Sequence, residues 1–146
     1  MITLETSLDI QRPVEIVFAY VSDMRNSPQW EAAVKEAQVI PDGPPAVGTK
    51  VKAVGTFLGV KLEAAFEITA LEPNRSFTYK GGAGPAVGET TMRFEPVGKG
   101  TRLSVTFHME SGGLFKIAEP LLISQIKKQM EADGQRLKAL LEAQQG

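Results

Sequence analysis

The stretch from Leu114 to Ala143 has no turn signal between Gly112-Gly113 and the terminal Gln-Gln-Gly, and it carries one continuous apolar stripe. At 100° per residue, Phe115, Leu122, Ile123, Ile126, Met130, Leu137, Leu140 and Leu141 share one side of a helix. Ser124, Lys128, Glu131, Gln135, Lys138 and Glu142 share the other. A stripe this broad must lie against a large apolar surface, which the rest of the chain has to supply. Pro120 would cost about 3 kcal/mol inside an uninterrupted helix, so a kink or a short first turn is expected there. Glu119 and Asp133 fall within or beside the stripe. Leu114, Ile117 and Leu121 point the opposite way, leaving the first two turns apolar nearly all round. Either the helical phase breaks at Pro120, or these three residues meet a second subunit in a homodimer, a membrane surface or a mobile lid.

The chain before the helix alternates with period two. Ile2, Leu4, Leu8 and Ile10 mark a first half-buried strand. Pro13 and Glu15 then suit a helix N-terminus, with Val14, Val17, Phe18 and Val21 on one face. Ser22-Asp23 and Ser27-Pro28 leave room for a second, very short helix around Met24 to Trp30. From Ala37 onward, runs near 51–57, 60–69, 77–80, 89–95 and 102–110 alternate apolar with polar residues. The breaks between them are mostly hairpin-sized, so an antiparallel sheet with one wet face is expected. The fold class is therefore α+β: about six to seven strands in a curved antiparallel sheet gripping the long C-terminal helix, with two short helices after strand 1.

With 146 residues, residues 1–146 read as a single domain. A net charge of −1 with no basic run argues against a nucleic-acid surface. The absence of cysteine removes disulfides and thiolate chemistry. No signal peptide or transmembrane segment is read from the sequence, and the expected location is cytoplasmic.

This order of elements, and particular residues within it, resemble the START-like (helix-grip, Bet v 1-like) superfamily and its polyketide cyclase/dehydrase-like SRPBCC branch. The matching pieces are Arg12-Pro13-Val14-Glu15-Ile16-Val17-Phe18, Ser22-Asp23 through Pro28-Gln29-Trp30, Gly100-Thr101-Arg102-Leu103, and Leu137-Lys138-Ala139-Leu140-Leu141-Glu142. The resemblance implies an internal apolar cavity for lipid-like, aromatic or polyketide-like ligands. It carries over no catalytic set.

Strand parity and the helical stripe nominate Phe57, Phe66, Tyr79, Met92, Phe107, Met109, Phe115, Leu122, Ile126 and Met130 as cavity lining, and Trp30, at the end of the second short helix, reads either as part of the cavity rim or as a surface-packed tryptophan. Small Ala53, Gly55 and Ala64 are read as leaving space among them, and the methionines as adapting to varied ligands. A plainly packed core would use the same residues. Inward polar candidates are Tyr79, Thr90, Glu119 and Asp133, with Tyr79 and Glu119 as the pair for a cyclase- or dehydratase-like enzyme. His108, the one histidine, shares an outward face with Arg102 and Glu110 and reads as solvated. No metal-ligand spacing is present and no cofactor is expected. The glycine-rich run from Gly81 to Gly88 joins two strands and opens no helix, so it reads as a hairpin tip near a cavity mouth, not a phosphate loop. The leading expectation is binding or transport of a small hydrophobic ligand. The alternatives are the enzyme just described and an interaction module, co-chaperone-like or quinone-delivering.

Overall fold

The computed structural model describes residues 2–57, 59–83, 86–109 and 119–144, with the backbone alone at Phe57, Ala86 and Glu119. One antiparallel sheet of seven strands runs β1 (Ile2–Ile10), β2 (Val34–Ile40), β3 (Lys50–Phe57), β4 (Val60–Glu72), β5 (Ser76–Ala83), β6 (Ala86–Val97) and β7 (Gly100–Met109). Its spatial order is β1-β7-β6-β5-β4-β3-β2, so β2 to β7 form a meander and β1 closes against the last strand. Between β1 and β2 lie α1 (Val14–Ser22), a 3₁₀ turn (Met24–Asn26) and α2 (Ser27–Trp30). The C-terminal helix α3 covers Glu119–Ala143. The expected α+β architecture, with its two short helices and gripped final helix, is borne out.

Register builds the inner face. Leu4 pairs with Phe107, Phe107 with Thr90, Thr90 with Tyr79, and Tyr79 with Ile68, so five neighbouring strands set these side chains in one row. The next row joins Thr6, Val105, Met92 and Phe77. A shift of one residue on any strand would turn its members to solvent. A bulge between Ile68 and Ala70 changes the phase of β4, so that Leu71 packs on the core beyond it.

The core is concentrated at one end of the sheet. Phe18 of α1 meets Phe94 edge-on at 5.1 Å and Phe77 at 6.2 Å, and Phe77 stacks on Phe94. Leu137 and Leu141 of α3 are completely buried in the same cluster. Polar bonds hold the helix end in place: Lys138 Nζ donates to the Asp9 carbonyl at 2.7 Å, and the Gln11 N–H donates to Glu142 at 2.9 Å. Thr101, also buried, donates to the Arg12 carbonyl at 2.8 Å. Closer to its N-terminus the same helix is less deeply packed, with Leu122, Ile123, Ile126 and Met130 half-buried. Pro120 stands in the first turn of the described helix, and Leu121 is 65% exposed on the side away from the sheet. Leu114, Phe115 and Ile117 lie outside the described residues.

Gly55 corrects the sequence reading. It was expected to leave cavity space, but a Cβ at this position would come within 1.6 Å of the Ala33 carbonyl oxygen, where the chain entering β2 crosses β3. Thr56 N–H donates to that same carbonyl at 2.9 Å. The missing side chain admits backbone, not ligand. Gly55→Ala should therefore lower the unfolding free energy by roughly 2–3 kcal/mol in urea titrations, as overpacking does where backbone has to yield. A loss below about 0.5 kcal/mol, the range of ordinary surface changes, would contradict the close approach.

Candidate functional site

Where α3 stands off from the sheet, a cavity of about 510 Å³ opens between them. That is within the range of roughly 300–1,000 Å³ typical of small-molecule sites. Trp30, Phe66, Tyr79, Met92, Phe107, Ile126 and Met130 line it, together with Leu8, Leu103, Val105 and Leu137. A smaller space of about 150 Å³ extends the cavity past Ala53, Val51 and Met24, and Glu31, Phe66, Tyr79, Gln129 and Asp133 border both. Among the other sequence nominations, Met109 and Leu122 are half-buried and do not belong to the described lining. The side chains of Phe57 and Glu119, and Phe115 altogether, lie outside the described residues. Ala64 is half-buried but not part of the lining.

The sheet, α3 and the end of α2 supply the walls. Tyr79, Thr90, Met92 and Phe107 arrive from β5, β6 and β7 through the paired rows, and Phe66 from β4, its ring edge-on to Tyr79 at 5.4 Å. Ile126, Met130 and Asp133 descend from α3, and Trp30 and Glu31 close one end at the C-terminus of α2. The apolar majority is what period-two and helical patterning dictate. Among the polar exceptions, Glu31 and Asp133 stand together at the α2 end.

Asp133, flagged by its place in the apolar stripe, is buried and held by two donors. The Ala32 N–H reaches its carboxylate at 3.1 Å, and Arg136 Nη1 at 3.2 Å, the same Nη1 also donating to the Trp30 carbonyl at 2.8 Å. These bonds fasten α2 to α3. Burial raises the Asp133 pKa, and the Ala32 N–H and the Arg136 guanidinium oppose that rise. Glu31 was not anticipated. In sequence it is one more glutamate after a tryptophan; what turns it inward is the end of α2, where its N–H closes on the Ser27 carbonyl at 2.8 Å. Glu31 is half-buried and borders both spaces. Burial, and then the neighbouring Asp133 carboxylate, push its pKa from 4.5 up to about 7, against a hydrogen bond from the Ser27 hydroxyl. Tyr79 is raised as well, by burial first and by Glu31 second, with the Thr90 hydroxyl opposing. Its phenol stays a neutral hydrogen-bond donor throughout the physiological range.

His108 bonds to Thr3 across the β1–β7 pair at 3.0 Å, away from the cavity lining. Among the described residues no cluster of three or more His, Cys, Asp or Glu is placed to hold a metal ion.

The folded protein holds the Glu31 proton more tightly than the unfolded chain does, so stability should fall as pH rises from about 4.5 through about 7. With some solvent screening retained, the loss should be on the order of 2 kcal/mol. Glu31→Gln should match the unaltered protein near pH 4.5 and exceed it in stability by that amount at pH 8, read from urea unfolding at both pH values. Identical profiles for the two proteins would show that Glu31 titrates as a solvated carboxylate.

The fold is shared with solved structures of low sequence identity. A Thermus thermophilus protein superposes with a TM-score of 0.84 at 19% identity, covering 99% of this chain and 100% of its own. A START superfamily protein from Mycobacterium smegmatis gives 0.79 at 17% identity, covering 97% of both chains. The Zhui aromatase/cyclase from a Streptomyces species gives 0.76 at 13% identity, covering 97% of this chain and 93% of its own. No curated protein matches the sequence. The family described as polyketide cyclase/dehydrase and lipid transport matches residues 1–142, and the chain belongs to it.

Proposed function

We propose that the protein binds a small hydrophobic molecule in the space between α3 and the sheet. The observation that carries this reading is the cavity of about 510 Å³, walled mainly by Phe66, Met92, Val105, Phe107, Ile126 and Met130. An apolar occupant of this volume makes dispersion contacts with the walls and removes their apolar surface from water. Methionines at 92 and 130 let the walls adapt to occupants of different shape. Membership of a family that includes lipid transport in its description supports the same reading. Among the described residues no helix is long and apolar enough to cross a membrane.

Trp30 is the chain's one tryptophan and part of the cavity wall, so its emission reports occupancy directly. Titrating delipidated protein with a long-chain alcohol should change that emission saturably, and native mass spectrometry should show one ligand per chain. Filling the cavity with Ile126→Phe and Met130→Phe together should weaken binding about tenfold or more with the fold retained by circular dichroism. No emission change and no adduct for any apolar probe would end the proposal.

A second reading, proton transfer on a polyketide-like or aromatic substrate, is favoured by the carboxyl that shares the cavity wall with Tyr79. That carboxyl is Glu31, titrating near neutrality where a general acid or base is most effective. For such an enzyme, Glu31→Gln and Tyr79→Phe should each lower kcat by about 100-fold or more. An activity indifferent to both changes would remove this reading and leave ligand binding intact.

A further inference from the structure

We infer that the α2 end of the cavity recognises a protonated organic amine: the ligand places an apolar body along the sheet and an ammonium group against Glu31 and Asp133, among the rings of Trp30, Phe66 and Tyr79. This rests on the proposed ligand-binding reading and adds a headgroup to it.

The charge of the walls carries the argument. Among the described lining residues three are carboxylic acids, Glu31, Glu131 and Asp133, and none is lysine, arginine or histidine. The nearest guanidinium, Arg136, is engaged with Asp133 and the Trp30 carbonyl and leaves Glu31 without a cationic partner among its described contacts. A carboxylate ligand would enter an acidic, low-dielectric space and meet repulsion; an ammonium would meet attraction strengthened by the same low dielectric. The aromatic groups point the same way. Phe66 and Tyr79, edge-on to each other at 5.4 Å and 85°, border the same spaces as Glu31 and Asp133, and Trp30 lines the larger of them. Ring faces attract cations, and walls of this kind are how proteins hold alkylammonium groups. A third observation adds a polar atom to the ligand's body. Trp30 is buried, and its indole Nε1 has no hydrogen-bond partner among the described residues. An unpaired buried donor is costly, and a hydroxyl or carbonyl oxygen on the ligand would satisfy it.

The groups facing Glu31 are Ser27 from α2, Tyr79 from β5, and Asp133 from α3, the last joined to Arg136. Alkylamines remain protonated well above neutrality, so the attraction should grow as Glu31 ionises with rising pH. Calorimetric titration with dodecylamine, dodecanol and dodecanoate, each below its micelle concentration, reads the headgroup alone because the chain is constant. At pH 8 dodecylamine should bind at least about tenfold tighter than dodecanol, and dodecanoate should be weakest. The amine-to-alcohol ratio should shrink between pH 8 and pH 6, and Glu31→Gln should narrow it about tenfold at pH 8. Equal affinity for all three, or a preference for dodecanoate, would overturn the amine site while leaving apolar binding in place. A ratio unmoved by both pH and Glu31→Gln would overturn it too. Failure of all three to bind would overturn the amine site together with the proposed function.

Discussion

The structure depends on where α3 is tied down and where it is not. Complete burial of Leu137 and Leu141 fixes the C-terminal part of the helix against the aromatic cluster of Phe18, Phe77 and Phe94. Burying two leucines of this kind contributes roughly 3–6 kcal/mol, an upper bound from transferred area. The bonds from Lys138 to Asp9 and from Gln11 to Glu142 add direction to that contact. With one end fixed, the sheet's curvature carries its inner face away from the earlier part of the helix. The half-buried Ile126 and Met130 then face a space, not a packed partner. Packing at one end and a cavity at the other are two consequences of one anchored helix.

The polar end of the cavity follows from the second fastening of α3. Asp133 sits in an otherwise apolar stripe because it accepts the Ala32 N–H and pairs with Arg136, joining the turn after α2 to the helix. That bond system draws α2 over the cavity, and with it Trp30 and Glu31. A carboxyl brought there loses water and gains an acidic neighbour, both of which favour its neutral form. The raised pKa of Glu31 is thus a by-product of closing the cavity, and also the feature that gives it chemical character.

Much of this was legible in the sequence. Period-two alternation located every strand but β2, because a half-buried sheet face demands it, and the stripe on α3 demanded a sheet to cover it. Three of the four resemblance motifs meet at one joint: Thr101 bonds to Arg12, a Cβ on Gly100 would lie 2.7 Å from the Ile10 carbonyl oxygen, and Glu142 accepts the Gln11 N–H. They hold the fold and say little about ligand, as fold-level likeness generally does. What could not be read was anything set by a non-local crossing. Gly55 is a glycine because Ala33 passes over it, a contact no local pattern records. Glu31 faces inward because a one-turn helix ends there, a matter of one residue's phase. The bulge after Ile68 likewise shifts Leu71 to the core face, which alternation alone would have missed.

The half-buried part of α3 around Ile126 and Met130 borders the cavity in which an apolar molecule is proposed to bind. Methyl-resolved NMR of the protein, titrated with a long-chain alcohol, tests it most directly. Shifts are expected at the methyls of Met92, Ile126 and Met130, with Val17 and Leu141 in the packed end unmoved. Shifts confined to the exposed Val60, Leu62 and Leu121, with the cavity methyls silent, would contradict it.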